Sequence, residues 1–111
     1  MVRVLSTKEF DTWEKLLPRE YQPQLEKIIE ELKTTKDVGK PLGVPFFREK
    51  KIDKYRVYFL VYEDIDTILL VTISDKKAQP ETIGQIRADL AYYKEFVKQK
   101  LKNLTLSDAS V

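Results

Sequence analysis

Two apolar segments, separated by a short polar one, constrain this chain more than any other feature of its sequence. KYRVYFLVYE covers residues 54–63 and TILLVTIS covers residues 67–74, with DID between them. Their β-branched and aromatic residues predict two β-strands joined by a turn. Because TILLVTIS is almost entirely apolar, it is predicted to be a central strand covered on both faces.

The N-terminal third of the chain predicts a strand followed by two helices. VRVLS at residues 2–6 alternates, which is typical of a strand. Ser6 and Glu9 have the spacing of a capping box and should begin a first helix. Pro18 ends that helix, and apolar residues at helical spacing predict a second one over about residues 19–35.

The rest of the chain supplies one more strand and one more helix. DVGKPLGVP is predicted to be a loop, because it holds two glycines and two prolines, and FFREKKI at 46–52 is predicted to be a short strand. Pro80 and Glu81 should begin a last helix over about residues 80–102. The order β-α-α-β-β-β-α predicts an α+β fold: an antiparallel-rich sheet of about four strands with a helical hairpin on one face. Residues 1–103 are expected to form a single domain, and 104–111 a frayed tail.

The composition excludes several classes of site. The chain has no histidine and no cysteine, which removes disulfides, Ser-His and Cys-His pairs and the usual metal ligands. No metal and no other cofactor is expected. No apolar run approaches the roughly 18 residues of a membrane helix, so no membrane partner is expected and the predicted location is the cytoplasm. The small number of glycines, with many Lys, Glu and Ile residues, suits a heat-adapted protein.

Positive charge is concentrated just before and inside the first apolar strand. Residues 40–56 hold six basic residues and two acidic ones, a net charge of about +4. The six are Lys40, Arg48, Lys50, Lys51, Lys54 and Arg56. The cluster is either a site for a polyanion such as RNA or the solvated rim of a hairpin, where lysines are common.

Alternation along residues 55–62 places Arg56 relative to the core. Tyr55, Val57, Phe59 and Val61 share one face, which should lie against the helices. Arg56 is then expected on the opposite, open face, together with Tyr58. Tyr58 can either stack on a base or belong to the core with a solvated hydroxyl. The register of strand 48–52 is not determined, and a slip of one residue would exchange its faces.

The remaining side chains suit one reaction class. Cleavage of RNA by its own 2′-hydroxyl needs an aligned nucleophile and neutralisation of the charge on the phosphorane. Arginine and lysine can supply the second requirement. In a crowded cluster, one lysine can have a pKa low enough for it to act as a base.

Several of these segments, in this order, resemble the RelE/ParE toxin superfamily. The shared features are a helix break at Lys15–Pro18, a loop at Gly39–Gly43, the YR pair Tyr55–Arg56, and an apolar strand ending in basic residues at Leu70–Lys77. The resemblance covers about residues 2–83. It implies the RelE-like β-α-α-β-β-β order and a toxin held inactive by a partner antitoxin.

The resemblance also implies a function and a set of residues. RelE-like members cut mRNA in the ribosomal A site, so this chain is expected to be a ribosome-dependent mRNA endonuclease whose partners are the antitoxin, the ribosome and mRNA. The residues expected to be catalytic are Arg56, Lys51, Lys50 and Lys77, and those expected to bind RNA are Arg48, Lys54, Lys76, Lys40 and Tyr58. Ile83 stands where such enzymes carry Tyr or His. The alternative is a ParE-like or inactive member that acts by binding a protein target.

Overall fold

The two apolar segments form an antiparallel hairpin near the middle of a five-stranded sheet. The structure is a computed structural model, and it describes residues 2–35 and 37–109. Its strands are β1 (Arg3–Ser6), β2 (Lys40–Pro41), β3 (Phe47–Ile52), β4 (Tyr55–Tyr62) and β5 (Thr67–Asp75). Its α-helices are α1 (Lys8–Leu16), α2 (Gln22–Thr34), α3 (Gln79–Ala88) and α4 (Leu90–Ala109), with 3₁₀ turns at Arg19–Tyr21 and Glu63–Ile65.

The sheet has the order β1-β5-β4-β3-β2, and its pairs are antiparallel except for β1 with β5. The predicted α+β class with an antiparallel-rich sheet is therefore confirmed. The fifth strand is β2, which lies inside the segment predicted to be a loop. It is only two residues long and contains a proline, so it has no alternation that could have revealed it.

The helical hairpin packs on one face of the sheet, as predicted. From α2, Leu25, Ile28 and Leu32 are buried in the same apolar cluster as Val57 and Phe59 of β4. Proline at position 18 ends α1, since the backbone turns away from helix at Leu17. Burial of this stripe, rather than helix propensity, accounts for most of the stability of two helices this short.

The cap of α1 differs from the predicted one. Thr7, not Ser6, is the N-cap: its Oγ1 accepts from the Phe10 amide at 3.0 Å and donates to the Val71 carbonyl oxygen at 2.6 Å. Ser6 belongs to β1, and its Oγ donates to Asp11 at 2.6 Å. The structure thus uses the adjacent hydroxyl because Thr7 can satisfy a helix amide and a sheet carbonyl together.

The chain comprises two compact units, residues 1–79 and 80–111. The second contains α4 and all of α3 except its first residue, Gln79, where the sequence predicted one helix over 80–102. The helix is interrupted at Asp89, whose amide donates to the Ile86 carbonyl at 3.0 Å in a tighter turn, and aspartate is unfavourable inside a helix. Helix α4 continues to Ala109, through most of the predicted tail 104–111, and residues 110 and 111 lie outside the described residues. The single-domain assignment stays a prediction.

Candidate functional site

Pairing between β3 and β4 determines which charged side chains share a face. Lys51 is the cross-strand partner of Arg56, and Glu49 is the partner of Tyr58. On the other side of β3, Lys40 of β2 pairs with Glu49. Because directly paired residues point to the same face, Lys40, Glu49, Lys51 and Arg56 lie on one face of the sheet. This register is the one that the sequence left undetermined.

These side chains line an open cleft of about 700 Å³. The lining residues are Asp37, Gly39, Lys40, Glu49, Lys50, Lys51, Arg56 and Gln79. Four of them are cationic and two are anionic, so the cleft keeps the excess of positive charge seen in the sequence. A concave basic surface of this kind raises the local concentration of an anionic ligand.

Arg56 is held more firmly than the sequence predicted. Its side chain was expected on an open face, but the residue is only 7% exposed. Its Nη1 donates to the carbonyl oxygens of Asp53 and Tyr55, both at 3.0 Å. The turn between β3 and β4 presents these two acceptors to the guanidinium, and this explains the burial. The orientation of the side chain is thereby restricted, while Arg56 still lines the cleft.

A hydrogen bond from the helical hairpin stabilises the turn that holds Arg56. Asp53 has a positive φ of 51°, a conformation that aspartate tolerates better than most residues. Its carboxylate accepts a hydrogen bond of 2.5 Å from the Tyr21 hydroxyl. That bond is the main cause that raises the pKa of Tyr21 to about 12. Tyr21 therefore fixes the turn by its hydroxyl, and the turn fixes Arg56 by its carbonyls.

The pair Lys51–Arg56 is unfavourable unless it has an anion to bind. Like charges directly opposite one another on a sheet are destabilising. Among the described side chains, no carboxylate lies within ion-pair distance of Lys40, Lys50, Lys51 or Arg56. The cleft therefore carries an excess of positive charge that no ion pair among the described residues neutralises.

Glu49 introduces a carboxylate among these bases. It is half-buried on β3, and its Oε2 accepts a hydrogen bond of 2.8 Å from Nε2 of Gln79. Thirty positions separate the two residues in sequence. Neither was predicted to belong to the site. Glu49 could have been found from its alternation with Lys51 once the register was known, whereas Gln79 gives no signal in the sequence.

The wall of the cleft at Gly39 has room only for glycine. Gly39 has a positive φ of 91°. A Cβ there would meet Cζ of Phe59 at 2.6 Å and the carbonyl oxygen of Glu49 at 3.0 Å. The loop can approach β3 this closely only without a side chain.

We expect Gly39→Ala to lower the free energy of unfolding by about 2–3 kcal/mol, because strain and overpacking act together. Gly84→Ala is the matched control, since nothing lies within 4 Å of a Cβ at that position in α3. It should raise stability by about 0.5–1 kcal/mol. Urea unfolding of both variants measures the difference, and equal stabilities would contradict the geometry at Gly39.

Tyr58 is placed in the interior rather than at a surface. Its side chain is fully buried, and its hydroxyl lies 2.8 Å from Oγ of Ser74. Burial is the main cause that raises the pKa of the Tyr58 hydroxyl. A ring enclosed in this way presents no face on which a base could stack, so the core interpretation of Tyr58 is the one the structure supports.

The other predicted residues do not line the cleft. Arg48 donates from Nε to the Pro45 carbonyl at 2.8 Å and from Nη1 to the Val38 carbonyl at 3.3 Å. Nζ of Lys54 lies 5.7 Å from the centroid of the Tyr55 ring. Lys76 and Lys77 are exposed beyond the end of β5. Of the nine predicted site residues, Lys40, Lys51 and Arg56 lie together on one face of the sheet. Lys50 also borders the cleft, but it is paired with Val57 and therefore alternates to the opposite face.

The described part of the chain has no candidate metal site and no membrane-spanning helix. No group of three or more acidic side chains there could hold a metal ion. None of its helices combines the length and the hydrophobicity needed to span a membrane.

Comparison with known proteins identifies the fold. No protein-family model matches the sequence, and no curated protein matches it. Solved structures do match. The isolated RelE toxin of E. coli aligns with a TM-score of 0.60 at 15% identity, over 78% of this chain and 99% of that chain.

Two archaeal complexes match in the same way. The RelB–RelE antitoxin–toxin complex of Methanococcus jannaschii aligns with a TM-score of 0.56 at 23% identity, over 70% of this chain and 96% of that chain. The RelE–RelB complex of Pyrococcus horikoshii aligns with a TM-score of 0.57 at 18% identity, over 67% of this chain and 93% of that chain. The chain therefore has the RelE-like fold that its sequence predicted.

Proposed function

We propose that this chain is the toxin of a type II toxin–antitoxin system and that it cuts mRNA on the ribosome. The observation that carries the proposal is the cleft, where Lys51 and Arg56 face each other without a carboxylate within ion-pair distance among the described residues. The structural neighbours add support, since they are RelE toxins, alone or with the antitoxin RelB.

In this proposal the scissile phosphate binds between β3 and β4. Arg56, whose guanidinium is held by two carbonyls, stabilises the charge that develops on the phosphorane. Lys51 adds a point charge, and Lys40 neutralises a neighbouring phosphate. Lys76 and Lys77, beyond the end of β5, are proposed to contact RNA further along the strand. No metal or other cofactor is invoked, and the toxin would act in the cytoplasm.

One observation favours a second candidate, a ParE-like or inactive member that acts by binding a protein. Ile83 occupies the position expected to carry Tyr or His, and it is half-buried on α3. The lining of the cleft contains neither residue type. A chain of this kind would arrest growth without cutting RNA, so cleavage is the property that separates the two candidates.

Primer extension on a defined mRNA in a translating extract tests the proposal. The wild-type protein should produce cuts that require ribosomes and that disappear when the cleaved nucleotide carries a 2′-deoxy sugar. Co-expression with the cognate antitoxin should abolish both cleavage and growth arrest. Growth arrest with intact mRNA would contradict the endonuclease and favour the protein-binding candidate.

A further inference from the structure

Glu49 is difficult to explain if the cleft only binds a phosphate. A carboxylate beside the bound anion repels it and weakens binding. Yet Glu49 lies on the same face of β3 as Lys51, two residues away, and lines the same cleft as Arg56. A negative charge at this position must therefore either be structural or take part in the reaction.

The hydrogen bonding of Glu49 leaves part of its carboxylate available. Oε2 accepts from Gln79 at 2.8 Å, and no hydrogen bond from a described residue reaches Oε1. Gln79 is uncharged, so it orients the carboxylate without forming an ion pair that would neutralise it. The lysines of the cleft, at the same time, are not within ion-pair distance of it.

We propose that Glu49 is the general base of the cleavage reaction and that Gln79 is its positioning residue. The inference rests on the proposed function, because it concerns the same cleft and the same RNA substrate. Attack by a 2′-hydroxyl requires that its proton be removed, and a positioned carboxylate can take it. The chain has no histidine that could do this work.

The reaction then balances with residues of the cleft and water. Glu49 takes the proton of the 2′-hydroxyl as the 2′-oxygen forms its bond to phosphorus. Arg56 stabilises the phosphorane, the bond from phosphorus to the 5′-oxygen breaks, and the 5′-oxygen takes a proton from the ammonium of Lys51. The products are a 2′,3′-cyclic phosphate and a 5′-hydroxyl. Exchange with water returns a proton to Lys51 and removes one from Glu49.

The test compares Glu49→Gln with wild type in single-turnover cleavage of ribosome-bound mRNA at about pH 7. Loss of a general base commonly costs about 100-fold or more, so the variant should be slower by at least that factor at pH 7. The amide of the variant cannot accept the proton of the 2′-hydroxyl, so the loss should appear in the rate of cleavage and not in the affinity.

The affinity for ribosome-bound mRNA is a second measurement, and we do not expect it to fall with the rate. Removal of a negative charge from the cleft should leave the affinity for ribosome-bound mRNA unchanged or make it tighter. The other charged or titratable groups around Glu49 are Asp37, which also lines the cleft, Lys40 on β2, Lys50 and Lys51 on β3, and Arg56 and Tyr58 on β4. They are intact in both proteins, so a difference between the two rates comes from Glu49.

Three further variants separate the roles. Glu49→Asp keeps the carboxylate one methylene further back and should restore part of the rate that Glu49→Gln loses. Gln79→Leu removes the hydrogen-bond donor and should slow cleavage by about 10-fold without weakening binding. Glu26→Gln, on the exposed side of α2, is the matched control and should behave like wild type.

The outcomes distinguish this inference from the proposed function. A wild-type protein that does not cut RNA overturns both. A wild-type protein that cuts, with a Glu49→Gln variant of equal rate, overturns the role of Glu49 alone. If Glu49→Gln lowers the melting temperature and its folded fraction still cuts at the wild-type rate, Glu49 is structural. If that variant does not fold, a folded Gln79→Leu variant that cuts at the wild-type rate overturns the assignment.

Discussion

Replacing Arg56 by alanine is expected to lower the rate of mRNA cleavage by about 100-fold or more, the usual cost of losing one donor that stabilises a transition-state oxyanion. The charge on the phosphorane is greatest in the transition state, so cleavage should fall much more than binding. Single-turnover primer extension measures the rate, and equilibrium binding to ribosomes measures the affinity. A larger loss in affinity than in rate would assign Arg56 to binding instead.

The fold also depends on this residue, and the experiment must allow for that. Nη1 of Arg56 donates to Asp53 and Tyr55 at the turn. Their carbonyl oxygens lose a charged donor in Arg56→Ala, which should cost about 1–3 kcal/mol of unfolding free energy. Rates are therefore compared well below the melting temperature of the variant, after its folded fraction has been determined by circular dichroism.

Two further variants make the assignment of Arg56 specific. Arg56→Lys keeps the charge but loses the planar fork, so it should restore only a small part of the rate. Arg19→Ala removes an arginine that is exposed in the first 3₁₀ turn, and it should change neither rate nor stability. If folded Arg56→Ala still cuts mRNA at the wild-type rate, Arg56 serves only the turn and the catalytic role is wrong.

The strands at the centre of the fold could be predicted because their own residues determine them. Apolar runs bounded by turn residues located β4 and β5 to within a residue or two, and alternation assigned Arg56 to its correct face. The burial of Arg56 could not be predicted in the same way. It depends on two carbonyl oxygens that a left-handed residue, Asp53, turns towards the guanidinium.

The site was predicted only where local pattern was sufficient. Lys50 and Lys51 were identified from the charge cluster. The face of the sheet on which each one lies depends on the pairing of β3 with β4, which is a property of two strands together. The contact between Glu49 and Gln79 joins residues thirty positions apart, and neither position has an unusual composition around it. Such contacts arise from the topology of the sheet, so a single sequence holds no periodic signal for them.

Binding to ribosomes should weaken about 130-fold when the salt concentration rises from 50 to 200 mM. Each contact between a cation and a phosphate of single-stranded RNA contributes about −0.7 to the slope of log affinity against log salt. The proposal has five such contacts, from Lys40, Lys51 and Arg56 in the cleft and from Lys76 and Lys77 beyond β5, and these correspond to a slope of about −3.5. Fluorescence anisotropy of labelled protein titrated with ribosomes over this range of salt measures the slope.

Charge-removing variants show whether the slope comes from the cleft or from the surface as a whole. The double variant Lys40→Gln/Lys51→Gln should reduce the slope by about 1.4, because two contacts are lost. Lys33→Gln is the matched control: Lys33 lies on α2, 3.0 Å from Glu30 in an ion pair, and its loss should leave the slope unchanged. An equal reduction by both variants would mean that binding depends on net charge alone. An unchanged slope in the double variant would place the RNA elsewhere, since a phosphate bound in the cleft cannot avoid releasing counterions through these two lysines.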